Sequence, residues 1–357
     1  MNVLKITLSQ AANSIRTLGT TNTILLRGQP GIGKSAIFSQ LKREMPDYHA
    51  CYIDVANLDL GDLGMPVVDR EQMITEFAPS SRFGLARGQN KPVLLMLDEL
   101  GKPSSKGILN MLLPVILEHR LGDVQLPTGS IVFATTNLDT DGVGDMIPAH
   151  AYNRMTVVEV TNPPADDWIQ QWAVYNDIAP EVMAFAHEYP QVFECYADNP
   201  DSKNPYNFNP LTGNIKTFAS HRSLAKSSHI VKARHELGEA FLPLLAGTIG
   251  ESAARDLDAM VNLSESLPSR KLVAKDPEGT KLPSGTAARF LMAFSLAASI
   301  EADTVDAYVT YMERLSEQSF EAYTMFIMTV ASNSNTVGMA CRNQKFTAAC
   351  AKLGKYF

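Results

Sequence analysis

The sequence predicts an α/β domain with a five-stranded parallel sheet, followed by a region built only of helices. Two observations support this fold class. Short apolar runs alternate with helical patterns over the first part of the chain, and such runs stop after residue 160. Strands that are apolar on both faces are typical of a parallel sheet with helices on either side.

Five apolar runs are the predicted strands of the sheet. Four of them, TILLRG, ACYIDVAN, PVLLMLDEL and SIVFATTN, begin at Thr23, Ala50, Pro92 and Ser130. The fifth, RMTVVEV, begins at Arg154. Helical patterns follow the first and third runs, in SAIFSQLKREM and SSKGILNMLLPVILEH. This alternation of strand and helix predicts a doubly wound sheet.

Helical patterns fill the remainder of the chain. Residues 161–262 open with a Pro pair and then carry caps and charges that suit helix starts. Residues 268–285 are rich in turn residues and charges, which predicts a loop or linker. Beyond it, apolar residues recur every three or four positions, at Val305, Val309, Met312, Leu315, Phe320, Tyr323, Phe326 and Ile327, which predicts a buried helix face. The predicted domains are 1–160 (α/β), 161–262 (helical) and 263–357 (helical, with no recognisable motif).

Composition limits the classes of protein that this chain can belong to. Its 357 residues suit two or three domains, and its net charge of -7 argues against a dedicated nucleic-acid coat. The longest apolar run, Ala240 to Ile249, is shorter than the ~18 residues that a membrane span needs. The first ten residues do not resemble a secretory signal. We therefore expect a soluble cytoplasmic protein, with cysteines that fill the core: Cys51, Cys195, Cys341 and Cys350.

The segment GQPGIGKS matches the phosphate-binding pattern G-x-x-x-x-G-K-[ST]. It lies between a predicted strand and a predicted helix, which is the context that such a loop requires. Its glycines let backbone N–H groups face phosphate oxygens, its lysine neutralises the outer phosphates, and its serine hydroxyl can ligate Mg²⁺. The candidate residues are Gly28, Gln29, Pro30, Gly31, Ile32, Gly33, Lys34, Ser35 and, at the start of the helix, Ala36.

Two carboxylates end the third predicted strand. Asp98 and Glu99 follow the apolar run VLLML, and the carboxyl ends of parallel strands are where ligands bind in open α/β sheets. We expect Asp98 to hold Mg²⁺ through water and Glu99 to act as the general base on an attacking water. An apolar run that ends in Asp-Glu is a weak signal alone, and the phosphate-binding loop strengthens it.

The fourth predicted strand ends in Thr135, Thr136 and Asn137. An Asn side chain at this edge can hydrogen-bond the attacking water or the γ-phosphate. The alternative is a turn, because Asn is common where strands end. The residue type alone leaves both interpretations open.

Arg154 stands between a short segment that could be helical and the fifth predicted strand. A cation near a helix C-terminus is stabilised by about 0.3–1 kcal/mol through the helix dipole. A guanidinium also stays charged and can bind two oxygens at once, so it suits phosphate chemistry. The residues alone favour neither interpretation decisively.

The stretch LDELGKPSSKGILNMLLPVILEHRLGDVQLPTGSIVFATTN, which ends at Asn137, resembles the MoxR-like branch of the AAA+ ATPases. In that branch a segment of the type LDEL.K.....LN.LLPVILE precedes one of the type R.G...LP......ATTN. The resemblance covers residues 20 to about 235. Residues 59–80 resemble the insert in the second helix of this branch, and residues 118–130 resemble the hairpin before the first sensor. The resemblance implies an AAA+ domain with an all-α lid, and ATP with Mg²⁺ as its ligands.

The resemblance also implies roles for the residues at the strand ends. Gly28 to Ser35 corresponds to the Walker A motif, and Asp98 with Glu99 corresponds to Walker B. Asn137 corresponds to the first sensor.

Two arginines complete this correspondence. Arg154 matches the position that supplies an arginine finger to a neighbouring subunit, and Arg222 matches the second-sensor arginine at the start of a lid helix. The sequence departs from the family at His221, where Pro is frequent, and at Asn153, where Asp is frequent. Arg120 is a further candidate for a contact between subunits, with a surface role as the alternative.

The function implied by the resemblance is a ring-forming ATPase, commonly a hexamer, that remodels or matures a partner protein complex. The partner often has a von Willebrand-type metal-binding domain. One alternative is a nucleotide-gated scaffold with little turnover. A DNA-stimulated motor is disfavoured by the acidic balance of the chain, and neither nucleic acid nor a membrane is an expected partner.

Overall fold

The computed structural model describes residues 4–85, 90–138, 147–194, 203–207 and 217–354. The chain forms two compact units, Met1–Asn162 and Pro163–Phe357. Each unit has its own elements and its own hydrophobic core.

The first unit combines strands and helices. Its strands are β1 (Lys5–Ile6), β2 (Ile24–Arg27), β3 (His49–Asp54), β4 (Gly64–Asp69), β5 (Ile74–Pro79), β6 (Val93–Asp98), β7 (Arg120–Leu121), β8 (Val124–Gln125), β9 (Ile131–Thr136) and β10 (Thr156–Val160). Its helices are α1 (Leu8–Leu18), α2 (Ala36–Glu44), α3 (Leu60–Leu63), α4 (Lys106–Glu118) and α5 (Ala149–Tyr152).

The central sheet is entirely parallel, with the strand order β1-β10-β2-β9-β6-β3. All five predicted strands are present, so the predicted α/β class is confirmed. The sixth strand, β1, has two residues at the sheet edge, and nothing in its composition distinguishes it from a loop. In the register, Asp54 lies beside Asp98, and Leu97 lies beside Ala134. The carboxyl ends of β3, β6, β9 and β2 therefore meet at one edge.

Both faces of the sheet are covered by helices. On β6, Leu94 and Met96 pack on the side of α1 and α2, whereas Leu95 and Leu97 pack on the side of α4. Strand β9 alternates in the same way, and all six of its side chains are buried. Burial on both faces explains why the predicted strands are continuous apolar runs rather than alternating ones.

Two antiparallel two-stranded ribbons are separate from the central sheet. Strands β4 and β5 pair within residues 59–80, the segment that resembles the family's helix insert. Strands β7 and β8 form the hairpin that follows α4. His119, which ends α4, has a left-handed φ of 52°, and this conformation turns the chain into the hairpin.

In its described residues the second unit contains helices, turns and loops, and no strand. Its helices are α6 (Ala165–Gln171), α7 (Pro180–Glu188), α8 (His221–Lys232), α9 (Arg234–Leu237), α10 (Phe241–Ile249), α11 (Glu251–Ser266), α12 (Arg270–Lys275), α13 (Thr286–Ala298), α14 (Val305–Ser316), α15 (Phe320–Ser332), α16 (Val337–Ala340) and α17 (Gln344–Leu353). One hydrophobic cluster includes residues from Ala165 to Leu353. The predicted domain boundary at residue 262 falls inside α11.

Three sequence-based expectations need correction here. The predicted linker 268–285 contains helix α12, because the Ser269 side chain accepts a hydrogen bond from Leu272 N and Val273 is buried. Phe320 begins α15 and is 48% exposed, so it is not part of the buried stripe. Cys341 is an exposed free thiol rather than a core residue. Cys195 lies outside the described residues.

In the described part of the chain, no helix has both the length and the apolar character needed to cross a bilayer.

Candidate nucleotide-binding site

The segment Gly28–Ser35 connects the end of β2 to the start of α2, which begins at Ala36. Gly31 and Gly33 have φ angles of 84° and 105°, a conformation that glycine adopts without strain. Gly28 is buried, and an added Cβ there would lie 2.8 Å from Ile32 Cδ1. Ile32 itself is buried in the core beneath the loop, whereas Pro30 is exposed. The loop is thus fixed by its glycines and by one apolar anchor.

Lys34 folds back over this loop. Its ammonium donates to the carbonyl oxygens of Gly28 and Gln29 at 2.6 and 2.7 Å. It also donates to Asn137 Oδ1 at 3.0 Å. Only 7% of the lysine is exposed, so this charge is held by oxygens of the site itself. The side chain of Gln29 accepts a hydrogen bond from Asn162, just beyond β10.

The carboxylate of Asp98 is buried and accepts hydrogen bonds from three hydroxyl groups on different segments. Ser35 Oγ, at the start of α2, donates to Oδ2 at 2.9 Å. Tyr52, on β3, donates to the same oxygen at 2.6 Å, and Thr135, on β9, donates to Oδ1. These contacts compensate for the burial of the carboxylate.

Ser35 and Asp98 are suitable ligands for Mg²⁺. A hydroxyl and a carboxylate are the hard oxygen donors that this ion prefers, and Mg²⁺ is commonly bound by one or two protein groups together with substrate phosphates. Ser35 precedes α2 but makes no capping hydrogen bond to it, so its hydroxyl is directed to Asp98 instead. Within the described ranges, no group of three or more His, Cys, Asp or Glu side chains could hold a metal ion.

Glu99 leaves the strand in an unusual backbone conformation. Its φ is 55°, in the left-handed region, which costs a non-glycine residue about 1–2 kcal/mol. Its backbone N donates to Thr135 Oγ1 at 3.3 Å, and its side chain is partly exposed. Conformations of this kind are concentrated at functional sites, where the surrounding structure holds them in place.

Asn137 lies where the sequence predicts, at the end of β9. Its contact, however, is with Lys34, so the loop after β2 and the end of β9 are joined directly. Gly28 N also donates to Thr136 O at 3.3 Å. The phosphate-binding loop, the carboxylate pair and Asn137 therefore converge at one edge of the sheet.

Comparison with known proteins gives matches among solved structures only. Neither the scan of protein-family models nor the search of curated proteins found a match. The chain is similar to NtrX from Brucella abortus in complex with ADP, at 14% identity and a TM-score of 0.38, covering 91% of this chain and 67% of NtrX. It is also similar to RuvB from Thermotoga maritima, a Holliday junction branch migration motor, at 17% identity and a TM-score of 0.36, covering 87% and 85%. Because both scores are below 0.5, neither similarity establishes a function for this chain.

Arg154 lies at the opposite ends of the strands, just before the amino end of β10. It follows α5 and precedes β10, whose first residue, Thr156, pairs with Ile24 at the start of β2. The phosphate-binding loop follows the other end of β2. Arg154 is exposed, and its guanidinium forms no ion pair with any residue that the structure describes. The site within one chain therefore does not include this arginine.

The other two arginines have different surroundings. Arg222 is exposed in the first turn of α8, which is capped by Ser220. Arg120 pairs with Glu118 at 2.9 Å and donates to the carbonyl of Gly122, so its own hairpin already holds it. This pairing supports the surface role for Arg120.

Tyr52 is the residue of the site that sequence reasoning missed. It is one residue of an ordinary strand, and its importance depends on the placement of β3 beside β6, which its own sequence does not specify. Burial, together with the hydrogen bond to Asp98, raises the pKa of Tyr52 above its usual range. The phenol is therefore the donor in this bond at physiological pH.

Proposed function

We propose that this chain is a Mg²⁺- and ATP-dependent ATPase of the AAA+ class, close to its MoxR-like branch. The observation that carries the proposal is the meeting of Lys34, Ser35, Asp98 and Asn137 at the carboxyl edge of the sheet. A phosphate-binding lysine, a metal-binding hydroxyl and carboxylate, and a polar strand end are the parts that phosphoryl transfer to water requires.

In this proposal the loop binds the phosphates of ATP. Lys34 exchanges its bonds to the loop carbonyls for bonds to the outer phosphate oxygens, and the N-terminus of α2 adds its positive dipole. Ser35 and Asp98 hold Mg²⁺, which neutralises charge on the phosphates when it is bound. By its sequence resemblance, Arg222 is assigned the role of the second-sensor arginine.

Hydrolysis depends on two groups beside the carboxylate of Asp98. Glu99 accepts the proton of the attacking water, and Asn137 orients that water. The left-handed backbone of Glu99 and its hydrogen bond to Thr135 hold this residue out of line with β6. Support for the assignment comes from this left-handed conformation, which has an energetic cost and is held by hydrogen bonds to β9.

The assembly and the client complete the proposal. The position of Arg154 supports a ring in which each arginine finger completes a neighbouring site, with six subunits as the expected number. By its sequence resemblance, the ring acts in the cytoplasm and remodels or matures a partner complex, with a von Willebrand-type protein as one candidate. ATP hydrolysis is converted into lid movement.

The test is steady-state phosphate release by the purified protein. Lys34→Ala should abolish nucleotide binding, whereas Glu99→Gln should retain binding and lose turnover. The matched control is Glu71→Gln, which alters an exposed carboxylate of the β4–β5 ribbon and should keep parental turnover. Parental turnover by Glu99→Gln would contradict the assigned base.

Two other outcomes would select the alternative functions. Tight nucleotide binding without phosphate release, alone or with candidate partners, would identify a nucleotide-gated scaffold. Turnover that DNA stimulates, with a steep dependence on salt, would identify a DNA motor. The hydrolysis-blocked Glu99→Gln protein in ATP is also the suitable bait for isolating the client.

A further inference from the structure

We propose that Tyr52 is a positioning residue that determines which oxygen of Asp98 is available to the Mg²⁺ site. The inference rests on the proposed function, since it concerns the same metal. It adds a residue that belongs to neither the phosphate-binding loop nor the strand carrying the carboxylate pair.

The two carboxylate oxygens of Asp98 accept different numbers of hydrogen bonds from hydroxyl groups. Oδ2 accepts from both Ser35 and Tyr52, at 2.9 and 2.6 Å, whereas Oδ1 accepts from Thr135. An ionised carboxylate has about four lone-pair sites, two on each oxygen. Tyr52 and Ser35 therefore occupy Oδ2 fully, and Oδ1 retains one site for a metal-bound water.

The same arrangement fixes Ser35. When the serine hydroxyl donates its hydrogen bond to Oδ2, the lone pairs of its oxygen remain free to ligate Mg²⁺. Tyr52 keeps Oδ2 facing Ser35, because rotation of the carboxylate would break the 2.6 Å phenol bond. The tyrosine thus orients both proposed metal ligands through one contact.

Contacts with two elements hold the phenol in place, and 45% of Tyr52 is exposed to solvent. Tyr52 lies on β3 opposite Met96 of β6, one strand away from the carboxylate that it contacts. Its ring contacts Phe38 of α2, with ring centroids 5.8 Å apart. Helix α2 begins just after Ser35, and Asp98 ends β6. The tyrosine therefore contacts the helix that follows one proposed metal ligand and the strand that ends in the other. Removal of the hydroxyl alone leaves this ring packing intact.

The test is Mg²⁺-dependent nucleotide binding by Tyr52→Phe. A fluorescent ADP is titrated into each protein in EDTA and then at increasing Mg²⁺. Groups that orient metal ligands typically contribute 10- to 100-fold to metal affinity. We expect the Mg²⁺ concentration for half-maximal enhancement to rise about 10-fold, while affinity in EDTA stays within about twofold of the parental value. Tyr48→Phe, just before β3, is the control and should match the parent.

A second variant separates orientation from general packing. In an Asp98→Asn background, Tyr52→Phe should cause no further change in the Mg²⁺ requirement, because the carboxylate that it orients is gone. A parental Mg²⁺ requirement in Tyr52→Phe, with thermal melting showing a folded protein, overturns the role of Tyr52 and leaves the ATPase proposal intact. A parent whose nucleotide binding does not respond to Mg²⁺ overturns both.

Discussion

Replacing Arg154 with Ala tests whether the active site is shared between subunits. Ile24, which pairs with the first residue of β10, precedes Gly28 by four residues. At ~3.3 Å per residue this places the phosphate-binding loop about 13 Å along the sheet from the start of β10, and Arg154 lies still further back. An extended arginine side chain spans about 7 Å, given bond lengths of about 1.5 Å. Arg154 therefore cannot reach the loop of its own chain.

The expected loss is large for turnover and small for stability. An arginine finger can contribute about 10³ to 10⁵ to the rate, which corresponds to about 4–7 kcal/mol of transition-state stabilisation. Because Arg154 is exposed and unpaired among the described residues, Arg154→Ala should change the free energy of unfolding by no more than about 0.5 kcal/mol. Nucleotide affinity should stay parental. Arg70→Ala, an exposed arginine of the β4–β5 ribbon, is the matched control.

Mixing two inactive variants identifies the subunit that supplies the arginine. In a head-to-tail ring, Arg154→Ala subunits keep Glu99, and Glu99→Gln subunits keep Arg154. Random one-to-one rings should then have about one quarter of their sites complete, so turnover should recover to about that fraction of the parental rate. If native mass spectrometry finds mixed rings that show no recovery, the shared-site reasoning is refuted. Near-parental turnover by Arg154→Ala alone would show that Arg154 acts only through the helix dipole.

Three further predictions concern single positions. Gly33→Ala should lower the free energy of unfolding by more than about 1 kcal/mol and weaken nucleotide binding, because Gly33 has a φ of 105°. Gly61→Ala is the control, since an added Cβ there meets nothing within 4 Å, and it should have neither effect. Urea unfolding and ADP titration measure the two quantities. Thr135→Val removes a donor from the buried carboxylate of Asp98 and should lower the free energy of unfolding by about 1.5–3 kcal/mol; an unchanged denaturation midpoint would contradict this. Burial lowers the pKa of His221 from 6.5 to about 4, so the unfolded chain binds the extra proton first as pH falls. Stability should therefore be full above about pH 6.5 and fall by about 3 kcal/mol towards pH 4, and His221→Asn should lose this dependence; an equal acid slope in the variant would refute it.

The sequence was sufficient for features that depend on local pattern. Continuous apolar runs located all five main strands, because burial on both faces leaves no polar alternation. The spacing of Gly28, Gly33 and Lys34 predicted a phosphate-binding loop between strand and helix, and the structure has that context. Strand β1 was not predictable, since two residues, Lys5 and Ile6, carry no period.

Other features depend on contacts between distant segments and could not be predicted locally. Tyr52 joins the site only because β3 lies beside β6, and strand order is set by the packing of the whole unit. The left-handed backbone of Glu99 depends on its anchor at Thr135, which is far away in sequence. Helix α12 formed in a turn-rich stretch because one serine cap and one buried valine outweighed its composition.

The hydrogen bonds of Lys34 have a consequence for ligand choice. Among the described residues, the ammonium donates to the oxygens of Gly28, Gln29 and Asn137, so phosphate binding is an exchange of acceptors rather than the capture of an exposed charge by a counter-ion. A single weakly held anion, such as sulfate or chloride, gains little by displacing three well-placed oxygens. A polyphosphate can replace several of them at once while the loop amides bind its remaining oxygens. Because Lys34 is almost wholly shielded from solvent, this preference for phosphate chains should persist at salt concentrations that screen surface charges.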